Sequence, residues 1–248
     1  MKKVTIITVE NQQEGLALVR DVLYKKVNDQ TLLLLSGGST PKGLYRALAK
    51  EKKLTVGAVG MVDERIDKSN YRMIKSTGLL DYFESLRINF YPILRTHLKG
   101  VRLNPESAAG VYNGTVLKLV KKFKKKVAIM GIGEDGHIAG LPAKSQISSI
   151  RQAQDKTQNR VRLGQNYVTE IDNFPGEFRE RITLTFKALS EMDLLIILVF
   201  GKNKKEALRK MFDPSAGSGQ EAIEEIPARF YTSPDIGKKT ILITDQKI

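Results

Sequence analysis

Cysteine is absent from the 248-residue chain, which excludes disulfides, a thiol nucleophile and a thiolate metal site. Histidine is scarce too. His97 and His137 are the only two, which leaves little for a zinc centre. No apolar run approaches the roughly 18 to 20 residues needed to cross a bilayer. The opening "MKKVTIITVENQQEG" turns polar too early for a signal peptide. A cytoplasmic protein with no membrane partner is therefore expected. Linkers and internal repeats are also missing, so a single domain over residues 1–248 is expected, and 41% hydrophobic with 27% charged residues fits a soluble globular chain.

Negative charge is under-represented: 41 Lys and Arg face 27 Asp and Glu, a net charge of +14. Such an excess can serve nucleic acid, a membrane surface or an anionic small substrate. The lysines cluster in "KLVKKFKKK" (Lys118 to Lys126) and "GKNKKEALRK" (Lys202 to Lys210), with no interleaved aromatics on which bases would stack. The first cluster reads as a solvated face, and no nucleic-acid partner is expected. Attraction of a phosphorylated substrate fits the same charge.

Along the chain, apolar β-rich runs alternate with helical periodicity. "KVTIITV" (Lys3 to Val9), "TLLLLSGG" (Thr31 to Gly38), "VGAVGMVDE" (Val56 to Glu64), "KVAIMGIG" (Lys126 to Gly133), "RITLTF" (Arg181 to Phe186), "DLLIILVFG" (Asp193 to Gly201) and "KTILIT" (Lys239 to Thr244) read as strands. Helices are expected through Val27, from Pro41, from Asn104-Pro105 to about Phe123, and from about Asn203. The stretch from Lys144 to Asn166 reads as irregular, and "DPSAGSGQEA" (Asp213 to Ala222) as a flexible loop. Uninterrupted apolar strands separated by helices predict an α/β fold with a mostly parallel sheet covered on both faces.

In such a sheet, ligands bind beyond the carboxyl ends of the strands. Four ends hold most of the chemistry: "SGGSTP", "DER", "GIGEDGH" and "GKNK". Gly37 and Gly38 let the backbone approach a ligand, Ser39 and Thr40 carry hydroxyls, and a helix start favours an anion. This is a phosphate cradle, although not a Walker loop. Asp63-Glu64-Arg65 places three charges directly after a buried strand, where they must pair with each other or with a ligand. Ser69 reads as the cap of the next helix.

"GIGEDG" (Gly131 to Gly136) matches the G-x-G-x-x-G pattern of a dinucleotide turn. Glu134 and Asp135 would repel a pyrophosphate there, and Gly140 and Pro142 oppose the helix that such a turn must enter. Asp155, the acid that would have to grip a ribose, lies in the irregular stretch. No nucleotide cofactor is expected. The glycines instead bend the chain so that His137 points into the cleft, with Glu134 or Asp135 available to orient its ring.

"SGGSTPKGLYRAL", "VDERIDKSNYRM", "MGIGEDGHIAGL", "RITLTFKAL" and "LVFGKNKKEALRKM", in this order, resemble the 6-phosphogluconolactonases. That family shares a superfamily with glucosamine-6-phosphate deaminases. The resemblance spans roughly residues 30 to 212 and implies a three-layer Rossmann-like fold with metal-free hydrolysis of 6-phosphogluconolactone; no cofactor is expected, and the chain is expected to be a monomer or small homo-oligomer. It also implies that Arg65 and Lys204 hold phosphate and that His137 is the general base. Asp63 would bind a sugar hydroxyl or orient the site. Arg181 would make a polar contact with substrate or anchor its strand by a salt bridge.

After the histidine, lactonases usually continue Thr-Ala-Ser-Leu-Phe-Pro, whereas this chain has Ile138-Ala139-Gly140-Leu141-Pro142. Ile138 is the residue common among deaminases. Deaminases, however, carry a glutamate five residues after the histidine, where this chain has Pro142, and an asparagine where it has Glu134. The alternatives to a lactonase are a deaminase-type isomerase, a non-catalytic sugar-phosphate sensor and a nucleic-acid binder.

Overall fold

From Thr31 to Leu35 every side chain is fully buried, and each leucine withdrawn from water stabilises the fold by about 1.5–3 kcal/mol. A strand that is apolar on both faces can only sit inside a sheet covered on both sides. The computed structural model, which describes residues 4–67, 69–94, 104–143, 166–216 and 219–248, places it at the centre of one.

The strands are β1 (Thr5–Thr8), β2 (Thr31–Leu35), β3 (Ala58–Met61), β4 (Asp63–Arg65), β5 (Phe90–Tyr91), β6 (Lys125–Gly131), β7 (Val168–Ile171), β8 (Arg181–Leu184), β9 (Leu194–Val199) and β10 (Thr240–Thr244). Seven of them form a parallel sheet in the order β1-β10-β9-β6-β2-β3-β5. The other three form an antiparallel sheet, β4-β8-β7. Helices α1 (Gln12–Lys26), α2 (Ser39–Glu51), α3 (Asn70–Lys75), α4 (Leu79–Ser85), α5 (Pro105–Lys122), α6 (Phe186–Ser190), α7 (Lys205–Phe212), α8 (Gln220–Glu225) and α9 (Pro234–Gly237) flank the large sheet. This is the expected mostly parallel α/β architecture.

Local chemistry sets the helix ends. Asn11 accepts from the Glu14 N–H, Asn104 from Glu106, Ser69 from Arg72 and Thr185 from Ala188, each satisfying an amide that the helix itself leaves free. In α5 the buried residues Ala108, Ala109, Tyr112, Val116 and Leu119 fall at helical spacing. The lysines beyond them behave as expected of a solvated face: Lys118, Lys121, Lys122 and Lys124 are exposed.

The structure corrects four of the sequence readings. The run from Val56 to Glu64 is not one strand. The large-sheet strand stops at Met61, whose N–H and carbonyl are both taken by the Tyr112 hydroxyl at 2.7 Å, and from Asp63 the chain pairs with β8 instead. "RITLTF" accordingly joins the small antiparallel sheet. Helix α2 begins at Ser39 rather than Pro41, with Gly38 as the residue before its first turn. Finally, the stretch read as a loop from Asp213 holds a short 3-10 turn, Pro214–Ala216, and the start of α8. His97, Asp155 and residues 144–165 of the irregular stretch lie outside the described residues. Among the described residues, no helix is long and apolar enough to cross a membrane.

Strand order fixes where a ligand can enter. From β2 the chain moves outward to β3 and β5; it then returns to β6, on the other side of β2, and moves the opposite way to β9 and β10. The loops after β2 and β6 therefore diverge, opening a crevice at the switch in strand order. Because β9, β6, β2 and β3 are parallel neighbours, the four loops singled out in the sequence leave the same edge of the sheet.

Candidate active site

The loop after β6 turns back on itself rather than entering a helix. The Gly133 N–H donates to the His137 carbonyl at 2.8 Å, and the Gly136 N–H to the Gly133 carbonyl at 3.1 Å. Gly136 has φ +89°, a left-handed conformation that side chains with a Cβ rarely adopt. The turn brings the Asp135 carboxylate onto the histidine: its Oδ1 accepts from the His137 backbone N–H at 3.1 Å and lies 2.5 Å from the ring Nδ1. Asp135 therefore orients the ring. Glu134 points elsewhere and accepts from Asn203 Nδ2 at 2.5 Å. With Nδ1 assigned as the protonated nitrogen by this contact, Nε2 is left with its lone pair.

The small sheet supplies the positive side. Residues alternate across a strand, so Asp63 and Arg65 share one face of β4, while Thr183 and Arg181 stand opposite them on β8. Thr183 Oγ1 accepts from the Gly140 N–H at 2.9 Å, tying the histidine loop to this sheet. Asp63 is buried and accepts from Asn70 Nδ2 at 3.0 Å. Burial pushes its carboxyl above the usual carboxylate range, against the opposing pull of Arg65, Arg181 and His137. All three side chains thus act on Asp63, which places these four residues in one cluster.

Two arginines stand opposite each other across the strand pair. The Arg181 guanidinium lies 3.2 Å from the Phe174 ring centroid, and that of Arg65 lies 5.5 Å from the Phe178 centroid. Burial, with repulsion from Arg65, lowers the Arg181 pKa to about 10. Arg181 Nη1 and Arg65 Nε are buried without a hydrogen-bond partner among the described residues. Buried guanidinium N–H groups left unpaired are costly. Arg181 Nε does donate to the Phe178 carbonyl at 3.3 Å. No carboxylate ion pair of the anchoring kind expected for Arg181 is seen among the described residues, although Asp63 and Asp135 both favour its charge.

The remaining edges are closed by two other loops. Gly38 precedes α2 with no side-chain cap, so the first-turn amides beside Ser39 and Thr40 stay available to an anion. Gly37 packs so tightly on the Asn70 amide that a Cβ there would overlap it, which joins this loop to the Asp63 cluster. Lys204, half-buried at the end of the 3-10 turn after β9, has its ammonium pKa lowered by burial while Glu134 and Asp135 pull it back up. The structure thus brings His137, Asp63, Arg65 and Arg181 together, with Lys204 beside the histidine loop and the Gly37–Thr40 loop reached through Asn70.

Sequence reasoning missed Phe174, Phe178 and Asn70. Phe174 also packs edge-on against His137, with centroids 5.0 Å apart at 85°, so one ring supports both the histidine and Arg181. The signal available was two aromatics at a spacing of four, just before "RIT". Among the described residues, no cluster of three His, Cys, Asp or Glu side chains is arranged to hold a metal ion.

A parallel α/β sheet with basic side chains and a carboxylate-oriented histidine gathered near its switch point has the layout of the ligand-binding α/β folds. Comparison with known proteins narrows the class. A family model described as "Glucosamine-6-phosphate isomerases/6-phosphogluconolactonase" matches residues 12–241, and the chain belongs to that family. It is 31% identical over 204 residues to a 6-phosphogluconolactonase of Rhizobium meliloti (strain 1021), covering 79% of this chain and 77% of that protein. It is 22% identical over 215 residues to a glucosamine-6-phosphate deaminase of Enterococcus faecalis (strain ATCC 700802 / V583), covering 84% and 86%. A solved 6-phosphogluconolactonase from Plasmodium vivax shares the fold with a TM-score of 0.72 at 21% identity, over 100% of this chain and 92% of that one.

Proposed function

We propose that the chain hydrolyses 6-phospho-D-glucono-1,5-lactone to 6-phospho-D-gluconate, with His137 as general base. The observation that carries the reading is the Asp135–His137 pair at 2.5 Å, beside a cluster whose two arginines each hold a buried N–H with no partner among the described residues. That is one base and one anion site, which is what hydrolysis of a phosphorylated lactone requires. The Rhizobium meliloti relative, named a 6-phosphogluconolactonase, supports the same substrate class.

In this reading Arg65, Arg181 and Lys204 hold the phosphate, with the Gly37–Thr40 loop and the start of α2 completing the cradle. His137 Nε2 takes a proton as water attacks the lactone carbonyl, and Asp135 stabilises the imidazolium that forms. Loop amides are the donors available to the tetrahedral oxyanion. When the ring C1–O bond breaks, the imidazolium returns its proton to the departing ring oxygen. Asp63, held by Asn70, faces the sugar hydroxyls or orients the cluster.

Glucosamine-6-phosphate deamination is disfavoured by Pro142, buried and without a side-chain acid at the position where the deaminase pattern carries its glutamate. The test is a coupled lactonase assay corrected for spontaneous lactone hydrolysis, run beside ammonia release from glucosamine 6-phosphate. Enzyme-dependent lactone hydrolysis without ammonia release is expected. Ammonia release with no lactonase activity above the spontaneous rate would overturn the reading while leaving the fold intact.

A further inference from the structure

Glu64 is the one charged residue of "DER" with no place in the chemistry above, yet it has no exposed surface at all. It lies on the opposite face of β4 from Asp63 and Arg65. Its carboxylate accepts four hydrogen bonds: Oε1 from the Arg65 N–H at 2.8 Å and the Asn70 N–H at 2.5 Å, Oε2 from Ser69 Oγ at 3.0 Å and the Tyr71 N–H at 3.0 Å. A buried carboxylate persists only when its oxygens are so satisfied. The result is a closed turn in which residue 65 and the start of α3 are tied to one point.

Asn70 carries that constraint into the cleft. Its Nδ2 donates to the Asp63 carbonyl at 3.1 Å and to the Asp63 carboxylate at 3.0 Å, and its amide fills the space that a side chain at Gly37 would need. Asn70 is itself buried, so it has little freedom to relax away from either neighbour. We propose that Glu64 and Asn70 are positioning residues: Glu64 fixes the turn that carries Asn70, and Asn70 sets the Asp63 carboxylate and the Gly37 loop against each other so that both meet the ligand in one arrangement. This inference rests on the lactonase reading for its substrate. Neither side chain is asked to touch the reacting atoms.

The test is a double-mutant cycle. Asn70→Ala is expected to lower kcat/KM per folded molecule by about tenfold or more in the wild-type background, and by less than about threefold when Asp63 is already Asn, because coupled neighbours are not additive. Glu64→Gln keeps the volume but sets an NH2 against two of the four donors. It should reproduce the loss and add little to Asn70→Ala. The same cycle is read in parallel by calorimetric affinity for 6-phosphogluconate. A purely structural role would lower the melting temperature and the folded fraction, leave KM unchanged and add fully to Asp63→Asn; that result overturns the proposal. Since Glu64→Gln is isosteric, it provides the reading if Asn70→Ala does not fold. Wild type that binds 6-phosphogluconate without hydrolysing the lactone would sink the catalytic reading alone, with the cycle still read by affinity. Wild type that does neither sinks both.

Discussion

Replacing Asp135 by asparagine tests the electrostatic half of the proposed mechanism, because the amide is isosteric and its carbonyl can still accept from His137. What is lost is a negative charge 2.5 Å from the ring nitrogen. A general base works from its neutral form, so the charge matters most when the ring takes the proton from water. At a separation of about 4 Å, two opposite unit charges attract by about 4 kcal/mol at an effective dielectric of 20 and by about 1 kcal/mol in bulk water. The histidine and aspartate side chains are 22% and 24% exposed, which places the pair between these limits. A loss of about 2–3 kcal/mol in the transition state corresponds to about 30- to 150-fold in kcat. The Michaelis constant should stay near its wild-type value, since phosphate binding does not involve the imidazolium. Initial rates of 6-phosphogluconate formation, corrected for the spontaneous reaction, provide the measurement. Glu134→Gln is the internal control, because Glu134 is bonded to Asn203 and not to the ring; its kcat should stay within about threefold of wild type, as exposed contacts carry little energy. If Asp135→Asn also stays within threefold, the pair is an orienting contact without electrostatic weight, and the reasoning fails.

Three further outcomes are expected. His137→Ala should lower kcat by about 10²- to 10⁴-fold, the usual contribution of a general base, while 6-phosphogluconate affinity stays within a few-fold; an active variant removes His137 from the mechanism. Lys204→Met should raise KM rather than lower kcat. Because burial depresses the Lys204 pKa below its ordinary 10.5, the unfolded chain binds that proton more readily, and wild-type stability should rise with pH through the window just below 10.5. The variant should lack that increment in urea titrations across the window. Tyr231, fully buried with a hydroxyl that has no partner among the described residues, predicts that Tyr231→Phe is neutral or stabilising by about 1 kcal/mol; a lowered urea midpoint would reveal a partner for the hydroxyl.

How far the sequence could be read depends on the range over which each choice is made. The strands β2 and β9 were legible because their burial on both faces is written into an unbroken apolar run, and the caps Ser69 and Asn104 because a cap acts within three residues. The end of β3 was not legible, since the Tyr112 hydroxyl that takes over the Met61 backbone comes from 51 residues away. Missing that, the reading also missed the second sheet, and with it the strand pairing that sets Arg65 opposite Arg181. The site shows the same division. The glycine-bent loop made His137 stand out, but Glu134 and Asp135 are adjacent carboxylates that no spacing rule separates. Their roles are decided by the positive φ at Gly136 and by Asn203, which engages Glu134 from the turn after the neighbouring strand β9. Residues whose work is to hold others, Asn70 and Phe174 above all, leave the weakest trace in a sequence, because an amide or a ring gains meaning only from the neighbour it reaches. A single mutation at either should therefore be interpreted through that neighbour: Asn70 through Asp63, and Phe174 through both Arg181 and His137, which share its ring.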